Sequence, residues 1–152
     1  MESSENLKTI KRSIKIQAVH HNIYNIVADV EQYPMFLRWC ESSEIIQSHG
    51  DTVIAKLCLN IFGFRTSITT ENQMMKPENI KMTLKSGPFR KFNASWFFEQ
   101  KSASTTQVKY VMNYQLINPI VERIIEKNID SFLDQFMESF AKKYNQEITN
   151  QD

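Results

Sequence analysis

The sequence predicts an α+β fold in which a curved antiparallel sheet of about seven strands wraps around one long carboxy-terminal helix, with two short helices after the first strand. Residues 10–16 alternate apolar and polar side chains, which is the period of a half-buried strand. Similar alternation recurs up to residue 116, whereas no glycine or proline interrupts the chain after Pro119. This order of elements indicates a sheet with one face covered by the helix.

The first half of the chain is divided by a few turn-forming residues. Pro34 ends a segment of apolar residues at helical spacing, so a second, shorter helical turn is expected after it. Residues 49–51 are typical of a tight turn and predict a hairpin. The predicted elements are a strand at 10–16, helices at 20–30 and 35–37, and hairpin strands at 43–47 and 52–62.

In the second half, the alternating pattern restarts after Gly63, Pro77 and Pro88, and each restart predicts a new strand. From Pro119 to about residue 148 the pattern is helical, a length of about 45 Å. The predicted strands cover residues 64–70, 80–84, 94–100 and 107–116. The apolar stripe of the helix is Ile125, Ile129, Phe132, Leu133, Phe136, Phe140 and Tyr144.

Length and composition predict one globular domain over residues 1–152, with its core at about 8–145. The chain has 152 residues, of which 41% are hydrophobic and 23% charged, values typical of globular proteins. Its formal net charge is +1, so no overall field attracts it to nucleic acid or anionic lipid. We expect no DNA partner, and any binding to RNA or to a bilayer would need a local basic patch.

Targeting and metal-binding signals are weak. No run of about 18 apolar residues occurs, and the first residues lack the apolar region of a secretory signal. We therefore expect a cytoplasmic protein, in peripheral contact with the inner membrane at most.

Cys40 and Cys58 form no CxxC motif. His20 and His21 are adjacent, so in a helix they would point about 100° apart. We predict no metal site and no disulfide scaffold.

A helix laid along a curved sheet leaves space beside it, which predicts a cavity. Large aromatic and methionine side chains fall on the inner strand faces and on the helix stripe, and such a lining suits an apolar ligand. The same spacing is also that of an ordinary packed core, and composition does not distinguish the two. Bulky groups near the ends of elements, where loops would gate an opening, are Phe36, Trp39, Phe62, Phe64 and Phe89.

Two segments resemble a known family. Residues 29–40, DVEQYPMFLRWC, resemble a signature of the START-like polyketide cyclase family, which includes the coenzyme Q-binding proteins and the bacterial ribosome-association toxins. Gly87-Pro88-Phe89-Arg90, followed by Trp96, resembles a second family segment. Arg38 stands where the family usually has proline. The resemblance covers about residues 8–145.

The resemblance implies a helix-grip fold that binds ubiquinone or a related isoprenoid quinone between sheet and helix, in support of respiration. Since none of the common nucleophile, phosphate-binding or metal-ligand motifs occurs, we expect no catalytic residue, and we expect no cofactor other than this bound lipid. The alternative is a ribosome-association inhibitor that binds the large ribosomal subunit, and the third possibility is a polyketide cyclase or aromatase. The expected ligand-binding residues are Phe36, Trp39, Phe64, Phe89, Trp96, Phe98, Tyr110, Met112, Tyr114, Phe132, Phe136 and Phe140.

Polar groups near the expected cavity are few. Tyr110 and Tyr114 are candidate donors to a quinone head group, while Asn113 falls on the opposite strand face. Arg12 and Asn72 are the polar exceptions on inner strand faces, and we expect Arg12 to reach outward at the sheet edge. Two basic clusters could contact phosphates: Lys8, Lys11, Arg12 and Lys15, and Lys81, Lys85, Arg90 and Lys91.

Overall fold

The protein contains one antiparallel sheet of seven strands in the order β1-β7-β6-β5-β4-β3-β2. It is seen in a computed structural model that describes residues 7–151, with side chains up to residue 145. The first strand pairs with the last, so β1 and β2 form the two edges. The strands are β1 (Lys8–Ile16), β2 (Cys40–His49), β3 (Thr52–Ile61), β4 (Phe64–Met75), β5 (Asn79–Ser86), β6 (Phe89–Ser102) and β7 (Thr105–Leu116).

Three α-helices complete the predicted helix-grip architecture: α1 (His20–Ala28), α2 (Tyr33–Phe36) and α3 (Pro119–Gln151). Pro34 lies in the first turn of α2, where its missing N–H is tolerated. The side-chain oxygen of Asn118 accepts a hydrogen bond of 2.9 Å from the backbone N–H of Ile120, which caps the start of α3. No helix within the described residues has both the length and the apolar character needed to cross a bilayer.

Strand β6 begins earlier than the alternating pattern predicts. It starts at Phe89, which pairs with Leu116 of β7, whereas the pattern becomes regular only from residue 94. The register shifts between Phe89 and Lys91, which indicates a bulge. Because a bulge adds a residue without a partner, it breaks the two-residue period that sequence patterns depend on.

The inner face of the sheet, the face that meets α3, carries rows of paired side chains. One such row contains a small residue, Ala94, between two methionines, Met82 of β5 and Met112 of β7. Ala94 is buried, and because its side chain is a single methyl group, the sheet offers little bulk to α3 at this position. From β3 to β1, the row reads Val53, Asn72, Met82, Ala94, Met112 and Ile10.

Helix α3 packs tightly over only part of its length. Leu133 and Phe140 are each 2% exposed, and Met137 is buried with them. Nearer the start of the helix, Ile125 and Ile129 are only half-buried, and Ile120 is 70% exposed. The helix therefore closes the core at one end and leaves space under its first turns.

Ion pairs attach this part of α3 to the edge strand β1. The Lys8 Nζ lies 3.1 Å from the Glu126 Oε1. The Arg12 Nε lies 3.3 Å from the Asp134 Oδ1, and the same guanidinium also pairs with Asp130. Arg12 therefore leaves the inner face at the sheet edge, and its charge is balanced by carboxylates of the helix.

Candidate ligand-binding cavity

A cavity of about 160 Å³ lies between the inner face of the sheet and the first part of α3. Strands β3 to β7 contribute side chains to the cavity wall, and the segment from Ile125 to Phe136 of α3 forms the opposite side. The residues that line the cavity are Tyr33, Trp39, Leu57, Leu59, Ile61, Phe62, Ile68, Met82, Phe89, Phe92, Trp96, Tyr110, Met112, Tyr114, Leu116, Ile125, Ile129, Phe132, Leu133 and Phe136.

The structure brings together eight of the twelve residues expected to contact a ligand. They come from four elements or connections that are distant in sequence, which shows that the fold itself assembles this lining. These eight residues are Trp39, Phe89, Trp96, Tyr110, Met112, Tyr114, Phe132 and Phe136.

Two of the other four, Phe98 and Phe140, lie in the packed core beside the cavity. Each is 2% exposed. The Phe140 ring lies 5.3 Å from Trp96 and the Phe98 ring 5.3 Å from Tyr24, measured between centroids. Phe98 lies on the same face of β6 as the lining residue Trp96, and Phe140 lies on the same stripe of α3 as Phe136. Both rings lie beyond Trp96, where α1 and α3 close over the sheet. Their predicted contact with a ligand therefore has no support in this geometry.

The last two, Phe36 and Phe64, also lie outside the cavity lining. The Phe36 ring packs 5.4 Å from Phe140, and the Lys143 Nζ lies 5.7 Å from the centre of the Phe36 ring. Phe64 is 37% exposed at the start of β4. Phe36 thus stabilises the end of α3, and Phe64 belongs to the surface.

Sequence reasoning missed many of the aliphatic lining residues because it gave most weight to aromatic side chains. The alternation of β3 already placed Leu57, Leu59 and Ile61 on one face, so a signal for three of them was present. Ile68, Met82, Leu116, Ile125, Ile129 and Leu133 were likewise not among the predicted ligand-binding residues, and neither were two aromatic residues, Tyr33 and Phe92. Phe62 was predicted only as a gating residue.

Phe136 connects the cavity to the core. Its ring centroid lies 5.5 Å from Trp39, 5.4 Å from Trp96 and 5.3 Å from Tyr110, in tilted or edge-on geometries. Such arrangements of aromatic rings are favourable beyond the area that they bury. The aromatic end of the cavity is therefore well supported by its surroundings.

Three tyrosines supply the hydroxyl groups of the cavity wall. The Tyr33 hydroxyl donates to the backbone oxygen of Val27, whereas the Tyr110 hydroxyl donates to the Met112 sulfur at 3.7 Å, a weak acceptor. Burial raises the pKa of Tyr110, and burial together with Glu126 and Glu122 raises the pKa of Tyr114 to about 12. Both hydroxyls therefore stay protonated and can donate a hydrogen bond.

Asn113, the third donor candidate, lies on the outer face of the sheet, as its position in the strand pattern indicates. Its amide nitrogen donates to the Asn93 Oδ1 at 2.9 Å, and its Oδ1 accepts from the Thr9 hydroxyl at 2.7 Å. These bonds link three strands on the side away from the cavity, so Asn113 is not placed to bind a ligand there.

The cavity reaches the surface beside the turn between β3 and β4. Phe62 and Gly63 form this turn with φ angles of 53° and 86°. A bulky side chain is uncommon in this left-handed region, which favours glycine and asparagine. Phe62 lines the cavity, is 41% exposed, and places its ring 5.9 Å from that of Phe132. Its ring therefore stands at the mouth of the cavity.

Comparison with known sequences gives a family match and a set of relatives. Residues 16–141 match a family model described as polyketide cyclase / dehydrase and lipid transport. The protein called ribosome association toxin RatA of Escherichia coli (strain K12) is 28% identical over 113 residues, which is 74% of this chain and 72% of that protein.

Comparison with solved structures supports the same fold at low sequence identity. The Zhui aromatase/cyclase from Streptomyces sp. R1128 has a TM-score of 0.79 and 14% identity, covering 93% of this chain and 96% of that one. A START superfamily protein from Mycobacterium smegmatis has a TM-score of 0.79 and 17% identity, covering 91% of this chain and 97% of that one. At these identities the similarity establishes the architecture alone.

Proposed function

The chain belongs to the polyketide cyclase / dehydrase and lipid transport family, which includes ribosome-association toxins, and on that premise we propose that it binds a neutral apolar small molecule between its sheet and α3. The observation that carries the proposal is the cavity of about 160 Å³. Within residues 7–145, no charged side chain lines it. An uncompensated charge would be costly to bury there, so the wall favours a neutral ligand.

The volume of the cavity limits what fits inside. A cavity of about 150 Å³ lined by Leu, Ile and Phe takes up one benzene molecule. This cavity is similar in size, so it can hold one ring or a short isoprenoid segment, and a longer tail would have to leave through the mouth at Phe62. An isoprenoid quinone such as ubiquinone has this form, and the Tyr110 and Tyr114 hydroxyls could donate to its ring oxygens.

Exchange of such a ligand with a membrane would use the exposed apolar surface where α3 begins. Ile117 and Ile120 are 53% and 70% exposed. The backbone N–H of Ile117 bonds to the oxygen of Pro88 at 2.9 Å, which places this apolar surface beside the β5–β6 turn and the exposed Arg90. Apolar groups next to a cation suit peripheral contact with an anionic bilayer.

The test is titration with a short-chain ubiquinone that carries one isoprenoid unit. Trp39 and Trp96 are the two tryptophans of the chain, and both line the cavity. We expect saturable quenching of their fluorescence with a Kd in the micromolar range, about −8 kcal/mol. The Trp39→Phe variant should retain quenching through Trp96. A lack of saturable quenching at concentrations up to the solubility limit would contradict the proposal.

A second candidate function is association with the large ribosomal subunit, which the names of the relatives favour. Lys8 and Arg12 pair with carboxylates of α3 and are half-buried. In the second basic cluster Lys85 lies 3.8 Å from Glu71, but this cluster is the more exposed of the two and is therefore the better phosphate-binding surface. Its four residues, Lys81, Lys85, Arg90 and Lys91, are all exposed. Co-sedimentation with large subunits should be lost when these four are changed to Glu and kept when Lys127, exposed on α3, is changed to Glu.

A cyclase activity is the third candidate, and the protonated tyrosines are the feature that favours it. A neutral tyrosine hydroxyl in the cavity wall can donate a hydrogen bond to a carbonyl oxygen as charge develops on it. If the protein cyclises a polyketide, Tyr110→Phe or Tyr114→Phe should reduce turnover strongly without changing the fold. Product analysis by mass spectrometry would measure this effect, and unchanged turnover in both variants would exclude a role for these hydroxyls.

A further inference from the structure

A second, smaller cavity lies on the inner face of the sheet, next to the first. Its volume is about 30 Å³, enough for one water molecule or one polar group of a ligand. Two polar side chains of β4, Thr70 and Asn72, form part of its wall. The Thr70 hydroxyl donates to the Asn72 Oδ1 at 2.8 Å.

This hydrogen bond leaves the amide N–H groups of Asn72 unused. Asn72 is 5% exposed and Thr70 is 4% exposed. Among the residues that the structure describes, no protein acceptor lies within hydrogen-bonding distance of the Asn72 amide nitrogen. Because Asn72 lines the smaller cavity, its amide can donate a hydrogen bond to a water molecule or to a ligand there.

The two cavities share part of their walls. Tyr33, Leu57, Met82 and Trp96 line both of them. Met82 of β5 is the direct cross-strand neighbour of Asn72 and lines both cavities, so its side chain forms part of the boundary that they share. Methionine is unbranched and adapts to irregular spaces, and its other neighbour, Ala94, leaves room beside it.

We propose that the two cavities form one ligand site, in which Asn72 donates a hydrogen bond to a neutral acceptor of the ligand, a carbonyl or ether oxygen, and Met82 moves aside to admit it. This inference rests on the proposed function and defines its ligand class more closely. The ligand places an apolar ring in the larger cavity and its oxygen at Asn72. Within residues 7–145, neither cavity is lined by a charged group, so a carboxylate would lack a counter-charge in this site.

Indane and 1-indanone provide a matched pair of probes, because they differ only in that a carbonyl replaces one methylene. Isothermal titration calorimetry gives the Kd of each with the full-length protein. We expect Asn72→Leu to weaken 1-indanone binding relative to indane by about tenfold, the effect of one buried hydrogen bond. Gln73→Leu, at the neighbouring exposed position, is the matched control and should leave the ratio of the two constants unchanged.

The outcomes separate this inference from the proposed function. If the native protein binds neither probe, both the function and the inference are overturned. If it binds both probes and Asn72→Leu changes their ratio by less than twofold, the inference alone is overturned. Circular dichroism establishes whether Asn72→Leu folds; if it does not, Met82→Ala decides. Removal of that side chain should favour 1-indanone over indane, and an unchanged ratio would contradict the inference.

Discussion

Filling the larger cavity should stabilise the protein and prevent ligand binding at the same time. Ile129 is the position of choice, because it lies on α3, lines the cavity and is only half-buried. In Ile129→Phe, a longer side chain would project into the same space. Opposite effects on stability and affinity are expected only if the space is truly empty and is also the binding site.

The expected magnitude follows from the volume. At about 24 cal/mol per Å³, a cavity of 160 Å³ corresponds to about 4 kcal/mol of lost stability. The substitution adds about three carbon atoms, each of which contributes about 0.8 kcal/mol when fully buried. Because the ring cannot fill the whole cavity, we expect the free energy of unfolding to rise by about 1 to 2 kcal/mol.

Urea unfolding followed by circular dichroism measures the stability, and fluorescence quenching by the short-chain ubiquinone measures the affinity. Ile120→Phe is the matched control, because Ile120 lies on the same helix, is 70% exposed and does not line the cavity. It should change neither quantity. A loss of stability in Ile129→Phe with unchanged affinity would show that the site is packed and refute the reasoning.

Three further predictions concern other parts of the site. Phe136→Ala should lower the free energy of unfolding by about 3 to 5 kcal/mol and weaken binding, because its ring supports both core and cavity; urea unfolding and the quenching titration measure the two effects. Phe62→Asn should relieve the strained turn, changing stability by no more than about 1 kcal/mol, while stopped-flow fluorescence shows faster ligand release. A strong loss of stability would contradict this. The pKa of Tyr114 is raised from 10.0 to about 12, so its contribution to stability is complete below pH 10 and is lost as the pH rises to about 12. Tyr114→Phe should therefore lose less stability than the native protein over this range of pH.

The architecture could be predicted from the sequence because each element has a clear period. The alternation in β7 placed Tyr110, Met112 and Tyr114 on one face, and all three line the cavity. The uninterrupted pattern after Pro119 predicted the long helix that faces them. Both signals are local, so the tertiary structure was not needed to recognise them.

The extent of the cavity could not be predicted from the sequence. The hydrophobic period of a strand or helix predicts which of its faces is buried, but it does not predict where α3 separates from the sheet. Phe136 and Phe140 lie one helical turn apart on the same stripe, yet only Phe136 lines the cavity. The difference arises from α1 and α2, which pack against the later part of α3; Tyr33, for example, lies 5.4 Å from Phe140. Such long-range packing leaves no periodic signal in the sequence.

The most direct test of the central claim is to purify the protein from its native host without added lipid and to identify what it carries. Native mass spectrometry, followed by solvent extraction and mass analysis, would give both the stoichiometry and the chemical class. For each chain we predict one neutral apolar molecule that carries a carbonyl oxygen on its ring, most specifically an isoprenoid quinone. Recovery of the bare polypeptide alone, which then fails to take up a short-chain ubiquinone, would contradict the account.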